Sequence, residues 1–112
     1  MKTYITIADG IKYTVVVGQN KHENWRLIDD ADPDDFWFHA NGSPSAHVLL
    51  YAPENGIVPL SIITFCSEKT CHRDVIYTNI SNIRKGKHIG EAIIIDQQLL
   101  RRNVMKRKEI VL

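Results

Sequence analysis

The chain has 112 residues, 44% of them hydrophobic and 24% charged, with a formal net charge of +1. That size bounds it as one domain able to bury a real core, no run approaches the roughly 20 apolar residues that span a bilayer, and a total so near neutrality excludes a general polycation. The charge is nonetheless segregated, with four Lys/Arg against eight acids in residues 1–60 and ten against five in residues 61–112, so one basic face can form.

The first ten residues, MKTYITIADG, alternate apolar and polar side chains and include Asp9. A secretory signal has an unbroken apolar centre instead, so a cytoplasmic chain is expected. Residues 3–7 (TYITI) and 11–17 (IKYTVVV) are rich in β-branched and aromatic residues and read as strands joined at Asp9-Gly10. A three-residue loop, Ala8 to Gly10, pairs Ile7 with Ile11 and Ile5 with Tyr13 and gathers the apolar residues on one face. A two-residue loop sets Lys12 against Ile7, so the longer loop with a left-handed Gly10 is the expected one.

Residues 22–31 read as a short helix, capped by Asn20, with Trp25, Leu27 and Ile28 on its apolar face and Asp32-Pro33 as its stop. Two strands follow, 36–40 (FWFHA) and 46–51 (AHVLLY), joined through Asn-Gly-Ser-Pro. Residues 60–69 are ambiguous, strand-like in composition and helix-like in length. Residues 74–83 and 91–96 read as further strands, separated by the loop Arg84–Gly90, and residues 97–112 as a basic tail that includes Arg101, Arg102, Lys106, Arg107 and Lys108. Strands dominate, so the expected class is α+β with a mostly antiparallel sheet. Cys66 and Cys71 are spaced C-x4-C, which is neither a disulfide framework nor a zinc knuckle, and His72 beside them does not change the expectation of no metal and no cofactor.

Residues 34–50, DDFWFHANGSPSAHVLL, resemble the D-x-W-F-H-x-x-G-x-P-G-S-H-V signature of the NFACT-R (DUF814) domain family. The flanks agree. KHENWRLI is similar to the K-x-E-N-x-x-L-I before that signature, VIYTNISNIRK to the V-x-Y-T-x-x-S-N-[IL]-[KR]-K after it, and GEAIII to the final strand. The resemblance covers residues 1–96 and is stronger toward the stand-alone eukaryotic, coiled-coil-containing branch, although no coiled-coil tail follows here. It makes residues 60–68 a helix, which gives one domain over 1–96 with two short helices packed on the sheet. It also implies a nucleic-acid-binding module for RNA, whether tRNA or ribosomal RNA, tied to ribosome-associated quality control. DNA, the ribosome or another protein is the alternative partner, and no membrane is implied. After the hairpin the family carries a longer basic loop, whose counterpart here is only Ser67-Glu68-Lys69.

His39 and His47 bracket the turn. As a catalytic pair they need a nucleophile or carboxylate within hydrogen-bond reach, with Asp34, Asp35, Ser43 and Ser45 nearby in sequence, but no nucleophile elbow is present. No catalytic residue is therefore assigned. With a loop of Asn41 to Pro44 the two histidines point to opposite faces, and with Ser45 added to the loop they become cross-strand neighbours. Asp34 and Asp35 read as turn and capping residues. Trp37 and Phe38 are adjacent, so one faces the core while the other either stacks on a base or is buried by a two-sided sheet. Asn41, Gly42, Ser43 and Ser45 form a small-residue loop that a phosphate can approach closely. Arg84, Lys85 and Lys87 form a basic cluster, which Lys69 and Arg73 can extend into one patch for phosphate contacts. The candidate nucleic-acid-binding set is therefore Trp37, His39, Asn41, Gly42, Ser43, Ser45, His47, Lys69, Arg73, Arg84, Lys85 and Lys87.

Overall fold

In a computed structural model, which describes residues 1–106, the chain opens with a hairpin of β1 (Lys2–Ala8) and β2 (Ile11–Val17). Its loop is two residues long. Asp9 and Gly10 both sit at positive φ, 52° and 76°, the backbone that a two-residue turn needs to match strand twist. Ile7 therefore pairs with Lys12 and Ile5 with Thr14, which corrects the three-residue loop expected from the sequence. The expected loop served to bury the isoleucines, whereas Tyr4, Thr6 and Ala8 are the β1 residues turned inward and Ile5 and Ile7 remain 66% and 62% exposed.

α1 (Lys21–Asp30) follows, capped as expected by the Asn20 side chain, which accepts the Glu23 N–H at 2.9 Å. Next come β3 (Phe36–Ala40), β4 (Val48–Leu50) and α2 (Leu60–Glu68). α2 resolves the ambiguous stretch as a helix, with Ile62 and Cys66, one turn apart, buried on the sheet. β5 (Asp74–Asn79) is shorter than expected, because Ile80–Asn82 form a 3-10 turn that redirects the chain into β6 (Ile83–Lys85). β7 (Ala92–Ile94) pairs with β6, and β8 (Arg101–Val104) closes the order.

Six strands make one antiparallel sheet in the order β1-β2-β4-β3-β5-β8, beside the separate β6–β7 ribbon. The protein is thus a single α+β domain of eight described strands and two helices. The sheet continues past residue 96, since Arg101–Val104 pair with β5 inside the stretch expected as a tail, while Arg107 and Lys108 lie outside the described residues. None of the described helices is long and apolar enough to cross a membrane.

Both sheet faces are covered. On one, Tyr13, Val15, Val17, Phe38, Val48, Leu50 and Val75 pack with Ile62 and Cys66 of α2. On the other, Val16, Trp37 and Leu49 pack with Leu27 of α1 and with Ile80 and Ile83 leading into the ribbon. This is why Val15-Val16-Val17 reads as an unbroken apolar run, as strands buried on two sides do. Trp37 and Phe38 are both buried, at 3% and 0% exposure, on opposite faces.

Candidate nucleic-acid interface

The site grows from the β3–β4 register. Phe38 pairs with Val48, which brings His39 opposite His47 and leaves residues 41–45 as the loop. Ser45 therefore belongs to the loop, and its hydroxyl closes it by accepting the Ala40 N–H at 3.0 Å and donating to the Ala46 carbonyl at 2.9 Å. The two imidazoles are neighbours, with ring centroids 5.0 Å apart and nearly perpendicular planes. His39 stacks on Trp37 at 5.4 Å with planes 12° apart.

The hydrogen bonds assign the tautomers. The indole N–H of Trp37 is only a donor, and it reaches His47 Nδ1 at 3.1 Å, so His47 carries its proton on Nε2. His39 Nδ1 lies 2.7 Å from the Ala40 carbonyl, which only accepts, so His39 carries its proton on Nδ1 and presents Nε2 as an acceptor. Burial holds His47 down to about 3, with the charge of His39 adding to the effect. Burial also lowers His39, partly offset by its bond to the Ala40 carbonyl, while His72 pushes in the same direction as burial. Both rings are neutral at neutral pH.

The sequence reading missed Asn24. It is buried on α1, and its Oδ1 accepts the His47 N–H at 3.3 Å. Gly18 donates its N–H to the His47 carbonyl at 3.0 Å, and a Cβ on Gly18 would fall 2.2 Å from Asn24 Oδ1. Gly18, Asn24 and Trp37 thus fix the position of His47. The signal was available, because Asn24 precedes Leu27 and Ile28 by three and four residues, a polar group within the apolar stripe of the helix.

These residues line a groove of about 550 Å³. One wall is the small-residue loop, including Gly42, Ser43, Pro44 and Ser45, and the other is the loop between β6 and β7 from Ile89 to Ala92. Lys21 and Asn24 of α1 complete it, with Ile76 and Ile94 as apolar lining. Gly90, at φ +88°, packs where a Cβ would meet Lys21 Cβ at 2.7 Å, so the second loop can seat against α1 only with glycine there. Asn41 is tied to β5 through its N–H, which bonds the Asp74 carbonyl at 2.9 Å.

Trp37 is too deeply buried to offer a stacking plane. Its place in the candidate set is corrected to that of a residue that orients His39 and His47. The basic residues do not form one patch either. Lys69 sits over the rings of Tyr4 and Phe65 at 4.3 and 4.7 Å, and Arg73 lines a cleft beside Leu60, Thr64 and Glu68, both on the α2 side of the sheet. Lys85 pairs with Asp29 at 2.9 Å and lies over Trp25, so it is anchored to α1. Arg84 pairs with Ile93 on the outer side of the ribbon, and Lys87 lies exposed in the loop that borders the groove. Arg102, expected in a solubilising tail, holds Asp74 through two hydrogen bonds of 2.7 and 2.6 Å that lower the Asp74 carboxyl.

Asp35 is a structural anchor, as expected of a turn residue. Its carboxylate accepts the N–H groups of Asp32 and Ala52 at 2.9 and 2.8 Å. Cys66 is buried, which pushes its thiol up to about 12, while Cys71 is exposed, so the C-x4-C pair does not converge. Chemically, the site has two neutral imidazoles held by an indole and a backbone carbonyl, not by carboxylates, and a serine hydroxyl already bonded to the backbone. It presents hydrogen-bond donors and acceptors in a half-apolar groove.

No family model matches the chain. It is 29% identical over 128 aligned residues to the coiled-coil domain-containing protein 25 homolog of Dictyostelium discoideum, covering 99% of this chain and 62% of the relative. Coiled-coil domain-containing protein 25 of Danio rerio is 30% identical over 86 residues, 65% of this chain and 42% of the relative, and that of Mus musculus is 31% identical with 41% of the relative covered. The chain therefore spans less than two thirds of each of these relatives. Among solved structures, the C-terminal part of a fibronectin/fibrinogen-binding protein from Streptococcus suis superposes with a TM-score of 0.72 at 20% identity, over 95% of this chain and 47% of that one, which establishes a shared fold.

Proposed function

We propose that this chain is a non-enzymatic, cytoplasmic nucleic-acid-binding module of the NFACT-R type that contacts RNA, either tRNA or ribosomal RNA, and works in association with the ribosome. The observation that carries this reading is the groove itself. It joins the small-residue loop of residues 41–45, within the NFACT-R-like signature, to Gly90, Glu91 and Ala92, within the similar GEAIII stretch far along the sequence. Exposed small residues on one wall let a phosphate approach the backbone, Lys21 lines the groove with Glu91 as its acid, and Lys87 lies exposed on the loop between β6 and β7. Lys69 and Arg73 lie on the α2 side of the sheet and Lys85 is paired with Asp29, so all three are left out of the interface. The non-enzymatic reading rests on the engaged Ser45 hydroxyl and on His47 Nδ1, which accepts from Trp37 and so cannot be oriented by a carboxylate.

Binding of tRNA, a ribosomal RNA fragment and duplex DNA, measured across a salt series, tests it. RNA affinity should fall as salt rises, and joint Lys21→Glu and Lys87→Glu substitution should weaken it by about tenfold or more. Salt-independent binding, or binding indifferent to both reversals, would refute the proposal, and preference for duplex DNA would favour the same fold acting as a DNA-binding module. A protein-interaction adaptor is the second reading, favoured by Ile5 and Ile7 standing exposed on the edge strand β1.

A further inference from the structure

We propose that the groove holds one unpaired nucleobase of a single strand, read along its edge by His47 Nε2–H as donor and His39 Nε2 as acceptor. This rests on the nucleic-acid reading above and specifies what the groove takes. The tautomers follow from hydrogen bonds, since Trp37 occupies His47 Nδ1 and the Ala40 carbonyl occupies His39 Nδ1. Each ring is thereby left with one nitrogen, of opposite hydrogen-bonding character to the other's. Among the described residues no buried side-chain nitrogen or oxygen lacks a hydrogen-bond partner. Neither Nε2 bonds to another described residue, and both rings line the groove, His39 half-buried and His47 with 2% of its surface exposed.

A neutral donor beside a neutral acceptor, on rings 5.0 Å apart, does not suit a phosphate, which offers only acceptors. It suits a base edge, where donor and acceptor groups stand side by side on every base. The lining fits the same ligand. Ile76, Ile89, Ala92 and Ile94 give the base plane an apolar wall, and the groove volume of about 550 Å³ lies within the range of sites that enclose small ligands. Lys21 and the small-residue loop flank the histidines, where the phosphates on either side of the base would run. In a duplex the Watson–Crick edges are already paired and the base cannot leave the stack without unpairing, so the groove selects a loop, a bulge or an end.

The test compares a short single-stranded RNA, an abasic strand of equal length and charge, the RNA in a duplex, and free nucleoside monophosphates. The intact strand should bind at least about tenfold more tightly than the abasic strand and the duplex, and it should shift the His39 and His47 ring resonances where the abasic strand does not. His39→Phe keeps a ring over Trp37 but removes the acceptor, and should bring the intact strand down to the abasic affinity. Equal binding of intact and abasic strands, with salt dependence retained, would overturn the base reading and leave the proposed function standing. Failure of every strand to bind would sink both. Nucleoside monophosphates binding as tightly as the strand would make this a free-nucleotide site and overturn the strand reading.

Discussion

The two faces of the sheet are built from the same strands and do different work. Under α2, Phe38, Val48, Leu50 and Val75 meet Ile62 and Cys66 in a closed apolar layer. Across the sheet, α1 and the β6–β7 ribbon cover Trp37 and Leu49 but leave an opening beside them, where Asn24, His39 and His47 collect. The difference lies in the shape of the cover. A helix seals a sheet face with interdigitating side chains, whereas a helix and a two-stranded ribbon side by side leave a gap along their junction. Polar groups are tolerated in that gap because, among the described residues, no fully buried side-chain nitrogen or oxygen is left without a partner.

The contrast predicts a graded series of stability effects, all measurable by chemical denaturation. Phe38→Ala, on the closed face, should cost the most, about 3–5 kcal/mol, whereas His39→Ala at the groove should cost far less. Acid is the next lever. His47 is held at about 3 in the folded protein against 6.5 ordinarily, so the unfolded chain takes up a proton that the folded chain refuses. Its contribution is complete above pH 6.5 and is lost as the pH falls from there toward about 3, at roughly 1.4 kcal/mol per pH unit. His47→Asn, which keeps an acceptor facing Trp37, should flatten that acid slope, and an unchanged slope would show that the ring is not buried neutral.

Trp37→Phe leaves His47 Nδ1 buried without a donor and should cost about 1–3 kcal/mol. It would also free the His47 tautomer, so the base discrimination proposed above should weaken with it. Asn24→Ala removes the bond to the His47 N–H and should cost about 1 kcal/mol. Lys85→Ala breaks an exposed pair with Asp29 and should cost under about 1 kcal/mol. A cost larger than that of Asn24→Ala would show the ribbon to be held on α1 chiefly by charge.

Local chemistry explains what the sequence made legible. Asn20 caps α1 because its short side chain reaches Glu23 N–H, and β3 runs over Phe36–Ala40 as its aromatic run suggests. Asp35 is a turn residue for the same kind of reason. β5 was read too long, because nothing in Thr78-Asn79-Ile80 marks where the Asn82 side chain bends the chain by bonding Asp96 and Thr78. The β1–β2 loop departs from the expectation because turn geometry at Asp9-Gly10 prevails over burial of Ile5 and Ile7, which stay exposed.

The sequence by itself determined the α+β class, the first helix and its cap, and the stretch that carries the histidines, since hydrophobic period and capping act over a few residues. Tertiary structure alone decided that His39 and His47 share a face, that Trp37 lies beneath them and not before them, and that Lys69 and Arg73 belong to the other side of the sheet. A shift of one residue in strand register moves a side chain to the opposite face. That register is set by partners dozens of residues away, here Asn24 and Gly18 against His47, and no local pattern encodes it.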